Sequence, residues 1–201
     1  MITLAIDTST TRGSVALLAD GVMLLDESFS ADRSHSATLF TVLERARALA
    51  SRVDQVAIGL GPGSFAGVRI AIAAAIGLEL SLGGKLIGIP SVAALEPAAP
   101  AYLAIGDARR ETFYFTRVEG GVCLEGPLLA TEAELHALLS TWAGWPVFVT
   151  TELPSVPAAQ IALPSAAILA RLAVDGRGIT ATGDLDPIYL REPHITQPKP
   201  R

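Results

Sequence analysis

Twice in this chain an apolar strand runs into an aspartate and a polar turn, and each time a hairpin pattern follows. The first copy is TLAIDTSTT at 3–11; the second is YLAIGDARR at 102–110. After the first come GSVALLA (13–19), the turn Asp20-Gly21 and VMLLDES (22–28), which reads as a β-hairpin with a two-residue turn. After the second come TFYFTRV (112–118), Glu119-Gly120-Gly121 and VCLEG (122–126). A repeated strand, turn and hairpin predicts two lobes grown from one kind of unit.

The remaining periodicities fill each unit in. Leu39, Val42, Leu43, Ala46, Leu49 and Ala50 recur at helical spacing after Ser34. QVAIGL (55–60) and KLIGI (85–89) read as short buried strands, with a helix from Gly67 to about Leu82 between them. Ser91 is expected to cap a short helix after Pro90. A helix at 131–140, a strand at 146–150 and a helix at 164–174 complete the second half. The expected class is α/β, with mixed sheets flanked by helices. The alanine- and proline-rich EPAAPA (96–101) is the expected boundary between an N-terminal lobe, 1–98, and a C-terminal lobe, 99–195. QPKPR leaves 196–201 as a flexible tail.

The charge excludes one class of function. There are 15 basic against 20 acidic residues, a net charge of −5, and lysine occurs only at Lys85 and Lys199. No basic face is visible, so a protein that grips nucleic acid unaided is not expected. If RNA is involved, another subunit is expected to supply most of the positive surface. Cys123 is the only cysteine, which rules out an internal disulfide and fits a reducing, cytoplasmic setting. MITLAIDTST has no basic leader and reads as a strand. The apolar run from Ala66 to Leu82 is broken by Arg69 and Glu79, and reads as a buried or partner-facing helix, with no membrane role.

IGLGPGSFAGVR (58–69) places glycines between a strand and a helix, the position of many phosphate loops. A Walker loop is excluded because no lysine follows the glycines. Gly61, Gly63 and Ala66 match G-x-G-x-x-A, but the next strand ends LIGIPS, with no acid to hold a ribose. The competing reading is a tight turn, in which Gly61 and Gly63 adopt positive φ and Gly67 brings the helix close to the sheet. The helix that follows is slim and apolar on more than one side. Such a helix is either central in a core or half covered by a partner. With the 39–50 helix beside it, it would present a two-helix apolar face.

AIDTST, GPGSFAGVR, IGDARRETFYF and DPIYLR, in that order, resemble the bacterial TsaB (YeaZ) family. The resemblance covers most of the chain. It implies two ribonuclease H-like lobes of the actin, sugar-kinase and Hsp70 (ASKHA) superfamily. It also implies a role in making the threonylcarbamoyladenosine beside the anticodon of tRNA. In that role TsaB-like proteins are not the catalyst. They form a heterodimer with the paralogue TsaD, which holds the metal and transfers the threonylcarbamoyl group, and the ATPase TsaE joins them. ATP and a metal ion are then expected through the partners, with no cofactor held by this chain alone. The implied pairing surface uses Leu39, Val42, Leu43 and Ala46 of the first helix with Ile70, Ala71, Ala74, Ala75 and Leu78 of the second. A stand-alone ATPase or kinase, and a regulatory homodimer, are the alternatives.

Asp7, Ser9, Thr10 and Asp107 are the candidates for nucleotide contact, since the superfamily holds phosphate and metal at these strand ends. Gly61, Gly63, Ser64, Gly67 and Arg69 form the glycine loop and its exit. His35, His136 and His194 are far apart, so no catalytic or metal-ligating set is expected. Two departures stand out. Ala66 replaces the family's usual threonine, and the second lobe is short.

Overall fold

The computed structural model describes residues 1–30, 35–96 and 99–191. His194 and the expected tail at 196–201 lie outside the described residues, as does the side chain of His35. Three strands open the chain: β1 (Ile2–Asp7), β2 (Arg12–Ala19) and β3 (Val22–Ser30). Asp20 and Gly21 join β2 to β3 with φ of 48° and 83°. Both central residues are left-handed, as a two-residue hairpin turn requires. Then follow α1 (His35–Leu49), β4 (Gln55–Gly59), α2 (Phe65–Leu82) and β5 (Lys85–Ile89). A single 3-10 turn at Ser91–Ala94 leads into β6 (Leu95–Glu96).

The second unit repeats the opening with β7 (Ala101–Asp107), β8 (Thr112–Glu119), β9 (Val122–Thr131), α3 (Glu132–Thr141) and β10 (Val147–Val149). Short strands β11 (Gln160–Ile161) and β12 (Leu163–Pro164) precede α4 (Ala166–Val174), and β13 (Ala181–Thr182) follows it. The sheet orders are β13-β5-β4-β1-β2-β3 and β11-β10-β7-β8-β9. In each, the first strand pairs antiparallel with the second and parallel with the fourth element of the sheet. The two lobes thus share one strand order, as the repeated hairpin predicts, and it is the ribonuclease H-like order that the family resemblance implies. The second lobe has no counterpart of α2: residues 150–159 form no helix where one would return the chain.

The first sheet is covered on both faces, and its alternation shows why. Leu4, Ile6, Val15, Leu17, Val56 and Ile58 point to one side and pack beneath α1 and α2. Ala5, Ala16 and Ala57 point to the other side and meet Ala166, Ala170 and Leu169 of α4. Small residues on both surfaces let that helix sit close. The chain from beyond the lobe boundary therefore completes the first sheet, both through α4 and through β13 on its edge. In the second lobe, Leu103, Ile105 and Phe115 pack under α3. Tyr102, Tyr114 and Phe148 face the 3-10 turn and Leu95, so the two lobes share an apolar seam.

Two expected helix starts move by local chemistry. α2 begins at Phe65, because Ser64 caps it by accepting from the Gly67 amide at 3.2 Å. Ser91 is no cap; its Oγ accepts from the Gly61 amide at 2.9 Å and belongs to the glycine loop.

Candidate functional site

The glycine loop is stitched to the turn after β1. Ser64 donates its amide to the Ser9 carbonyl at 2.6 Å, and Ser91 donates to the Gly61 carbonyl at 2.8 Å. Thr8 Oγ1 donates to the Gly67 carbonyl at 2.7 Å. A Cβ on Gly63 would run into the Ser9 carbonyl, and one on Gly67 into the Thr8 carbonyl. Gly61 has φ of 87°; Gly63 does not adopt positive φ, so close approach alone demands glycine there. The amides of Gly61 and Ser64 are engaged by protein acceptors, which favours the tight-turn reading over a phosphate cradle. Arg69 does not bond back to this loop. Its guanidinium lies 5.1 Å from the centroid of the Phe65 ring.

An open cleft of about 920 Å³ runs between the lobes, and it sorts the four nucleotide candidates. Ser9, Thr10 and Asp107 line it; Asp7 does not. Asp7 is fully buried beneath the turn. Its Oδ1 accepts from the Ser9 amide at 2.8 Å and the Ser9 hydroxyl at 2.7 Å. Oδ2 has no hydrogen-bond partner and lies where a Cβ on Gly59 would be. Burial pushes this carboxyl above its ordinary range, and the Ser91 and Ser9 groups and the Arg12 charge only partly oppose it. Asp7 therefore stands apart from the other three candidates, buried beneath the turn while they line the cleft. Asp107 is exposed and its Oδ1 accepts from the Arg109 amide at 2.7 Å.

The cleft also gathers residues that the sequence reading gave no role. Pro187, Ile188, Tyr189, Leu190 and Arg191 cross it as a strap. Ile188 donates its amide to Leu60 of the first lobe at 2.8 Å, and Arg191 donates to Thr112 Oγ1 of the second at 2.5 Å. DPIYLR marked this segment in the sequence, but nothing local to it says what it crosses. Arg109, Arg110 and Glu111 hold φ of 66°, 53° and 58°, an unusual run for residues with side chains. Among the described residues no group of three or more His, Cys, Asp or Glu side chains is placed to hold a metal. His136 is exposed on α3, and burial pushes the Cys123 thiol up to about 12.

A second feature lies on the first lobe. Between α1 and α2 runs an apolar groove of about 410 Å³, lined by Phe40, Leu43, Ile70, Ala73, Ala74 and Leu78 with Glu44 and Arg47 at its edge. Of the nine residues expected at a partner surface, Leu43, Ile70, Ala74 and Leu78 line this groove and the other five do not. Leu39, Val42, Leu43, Ala46, Ala71, Ala74 and Ala75 are buried in this chain's own core, while Ile70 and Leu78 are half-buried. The helical stripe they form faces the sheet. The exposed apolar surface lies beside it, at Phe40 (51% exposed), Ile76 and Leu80 (84%).

The family model for TsaD, tRNA N6-adenosine threonylcarbamoyltransferase, matches residues 29–132, just over half the chain. The tRNA threonylcarbamoyladenosine biosynthesis protein TsaB of Haemophilus influenzae is 28% identical over 220 aligned residues, covering 94% of this chain and 92% of that protein. A crystal structure from Pseudomonas aeruginosa, described as an uncharacterized protein with similarity to peptidase YeaZ, superposes with a TM-score of 0.73 at 28% identity. It covers 94% of this chain and 99% of that one. The chain belongs to the TsaB (YeaZ) family. It also matches an uncharacterized Mycobacterium leprae protein at 31% identity over 143 residues, spanning 40% of that protein's length.

For a TsaB-family chain, the extent of the TsaD match is informative. It starts at the end of β3 and takes in α1, the glycine loop, α2 and most of the second sheet. The match to the TsaD model thus includes the helix pair that frames the groove.

Proposed function

We propose that this TsaB-family chain is the noncatalytic partner of TsaD in the complex that places threonylcarbamoyl on the adenosine beside the anticodon of tRNA. Its part in tRNA threonylcarbamoyladenosine biosynthesis follows from the family. The observation that carries the pairing is the groove between α1 and α2, whose wall includes the half-exposed ring of Phe40. A partner with its own α1 and α2 can meet this face about a pseudo-twofold axis, each helix pair covering the other. Small residues at Ala73 and Gly77 let the backbones approach. The inward-turned Asp7 supports assigning the metal and ATP to the partners, TsaD and the TsaE ATPase. The same exposed face favours a homodimer when the partner is absent.

The test is co-elution with TsaD from the same genome, with and without ATP, with the mass taken from light scattering. A mixed complex is expected, and Ala73→Glu abolishes it while the variant's melting curve stays that of the parent. Separate peaks under both conditions overturn the pairing. Nucleotide turnover by the isolated chain would point instead to the stand-alone ATPase or kinase.

A further inference from the structure

The interlobe cleft is locally cationic in an acidic chain. Three arginines line it, Arg109, Arg110 and Arg191, against one carboxylate, Asp107. The Asp107 carboxylate is already engaged by the Arg109 amide, and the two side-chain charges come no closer than 3.8 Å. The Arg109 side chain is 88% exposed, and Arg110 has no ion-pair partner among the described residues. At the same rim, Phe65 and Tyr189 pack with ring centroids 5.5 Å apart, while each ring stays about half exposed at 51% and 46%. Arg69 lies over Phe65. Counting charges along the chain hides this grouping, because α2, the second hairpin and the strap bring it together from three distant segments.

From this arrangement we propose that the rim of the cleft is a contact surface for an unpaired segment of RNA. Half-exposed aromatic faces stack on any base, and exposed arginines follow the backbone phosphates. A nucleotide enclosed in the cleft fits less well. The aromatic pair, Arg109 and Arg110 are exposed while Arg191 is half-buried against Thr112, and of the two strand-end carboxylates Asp7 is turned away, which leaves only Asp107 facing the cleft, beside Arg109. The strap holds the rim in place from both lobes, so the surface is built before RNA arrives. The left-handed run at 109–111 projects Arg109, Arg110 and Glu111 from one tight turn, two cations to one anion, and backbone strain of that kind is found where function fixes a conformation. This proposal rests on the reading of the chain as a tRNA-modification protein, but not on its pairing with TsaD.

The test uses the full chain alone, with a labelled unpaired RNA of about twelve nucleotides and a duplex of the same sequence, titrated over a range of salt. The unpaired strand is expected to bind more tightly than the duplex. Phe65→Ala is expected to weaken binding about tenfold. The double variant Arg109→Asn, Arg110→Asn keeps residues that tolerate left-handed φ. It is expected to flatten the slope of log affinity against log salt by about 1.4. Ala73→Glu, which breaks the proposed pairing, leaves RNA binding unchanged. No detectable binding, or equal binding by the parent and both rim variants, overturns the proposal. So does complete displacement of the RNA by ATP, which would assign the cleft to nucleotide. Failure of the parent chain to pair with TsaD, with its RNA binding intact, defeats only the pairing.

Discussion

At the scale of single residues, burial decides between chemistry and structure. Asp7 ends β1 as a catalytic aspartate would, yet both its oxygens face protein. Because burial raises its pKa in the folded state, the native protein holds its proton to higher pH than the unfolded chain does. The folded form therefore loses stability as pH rises from about the unfolded carboxylate value through the raised native one. Asp7→Asn keeps the Oδ1 acceptor for Ser9 and removes the charge. Relative to the parent, its urea midpoint is expected to rise between pH 4 and pH 7; an unchanged difference would show that Asp7 is not a buried acid. Gly67 gives a second test. Alanine in a helix normally gains roughly 0.5–1 kcal/mol over glycine. Here its Cβ meets the Thr8 carbonyl, so Gly67→Ala is expected to cost about 1–3 kcal/mol in chemical denaturation.

The helices show how far periodicity reaches. The recurrence of Leu39, Val42, Leu43 and Ala46 located α1 and the side of it that is buried, because a 3.6-residue stripe marks whatever the helix hides from water. It could not say whether the sheet or a partner hides that stripe. The sheet does, and the groove lies one step around the helix. Adjacent residues therefore separate the two roles. Leu39→Ala is expected to cost about 2–5 kcal/mol of stability. Phe40→Ala is expected to leave the denaturation midpoint almost unchanged and to weaken co-elution with TsaD. The cap is a smaller effect: Ser64→Ala is expected to cost about 1 kcal/mol, seen as a lower melting temperature.

For the molecule as a whole, the lobes are not independent. α4 covers the alanine face of the first sheet, and its amide at Ala166 bonds Ser14 Oγ at 3.0 Å. Arg12 reaches back to the Leu163 and Pro164 carbonyls at 3.3 and 3.0 Å. A fragment ending at residue 98 keeps every main strand of the first sheet but leaves one face bare. Such a fragment is expected to bind hydrophobic dyes and to melt without a cooperative transition; a sharp, reversible transition would show that α4 is dispensable.

The sequence by itself determined the two-lobe repeat, the four α-helices and every strand longer than two residues, the hairpin turns and the family, since all of these rest on local periodicity, turn chemistry and short motifs. Only the tertiary structure decided that Asp7 faces inward and that the apolar stripe belongs to the core. It alone decided that α4 returns to the first lobe, and that arginines and aromatics from three segments meet at one cleft. Each of those depends on which distant surfaces come together, and no window of neighbouring residues carries that information.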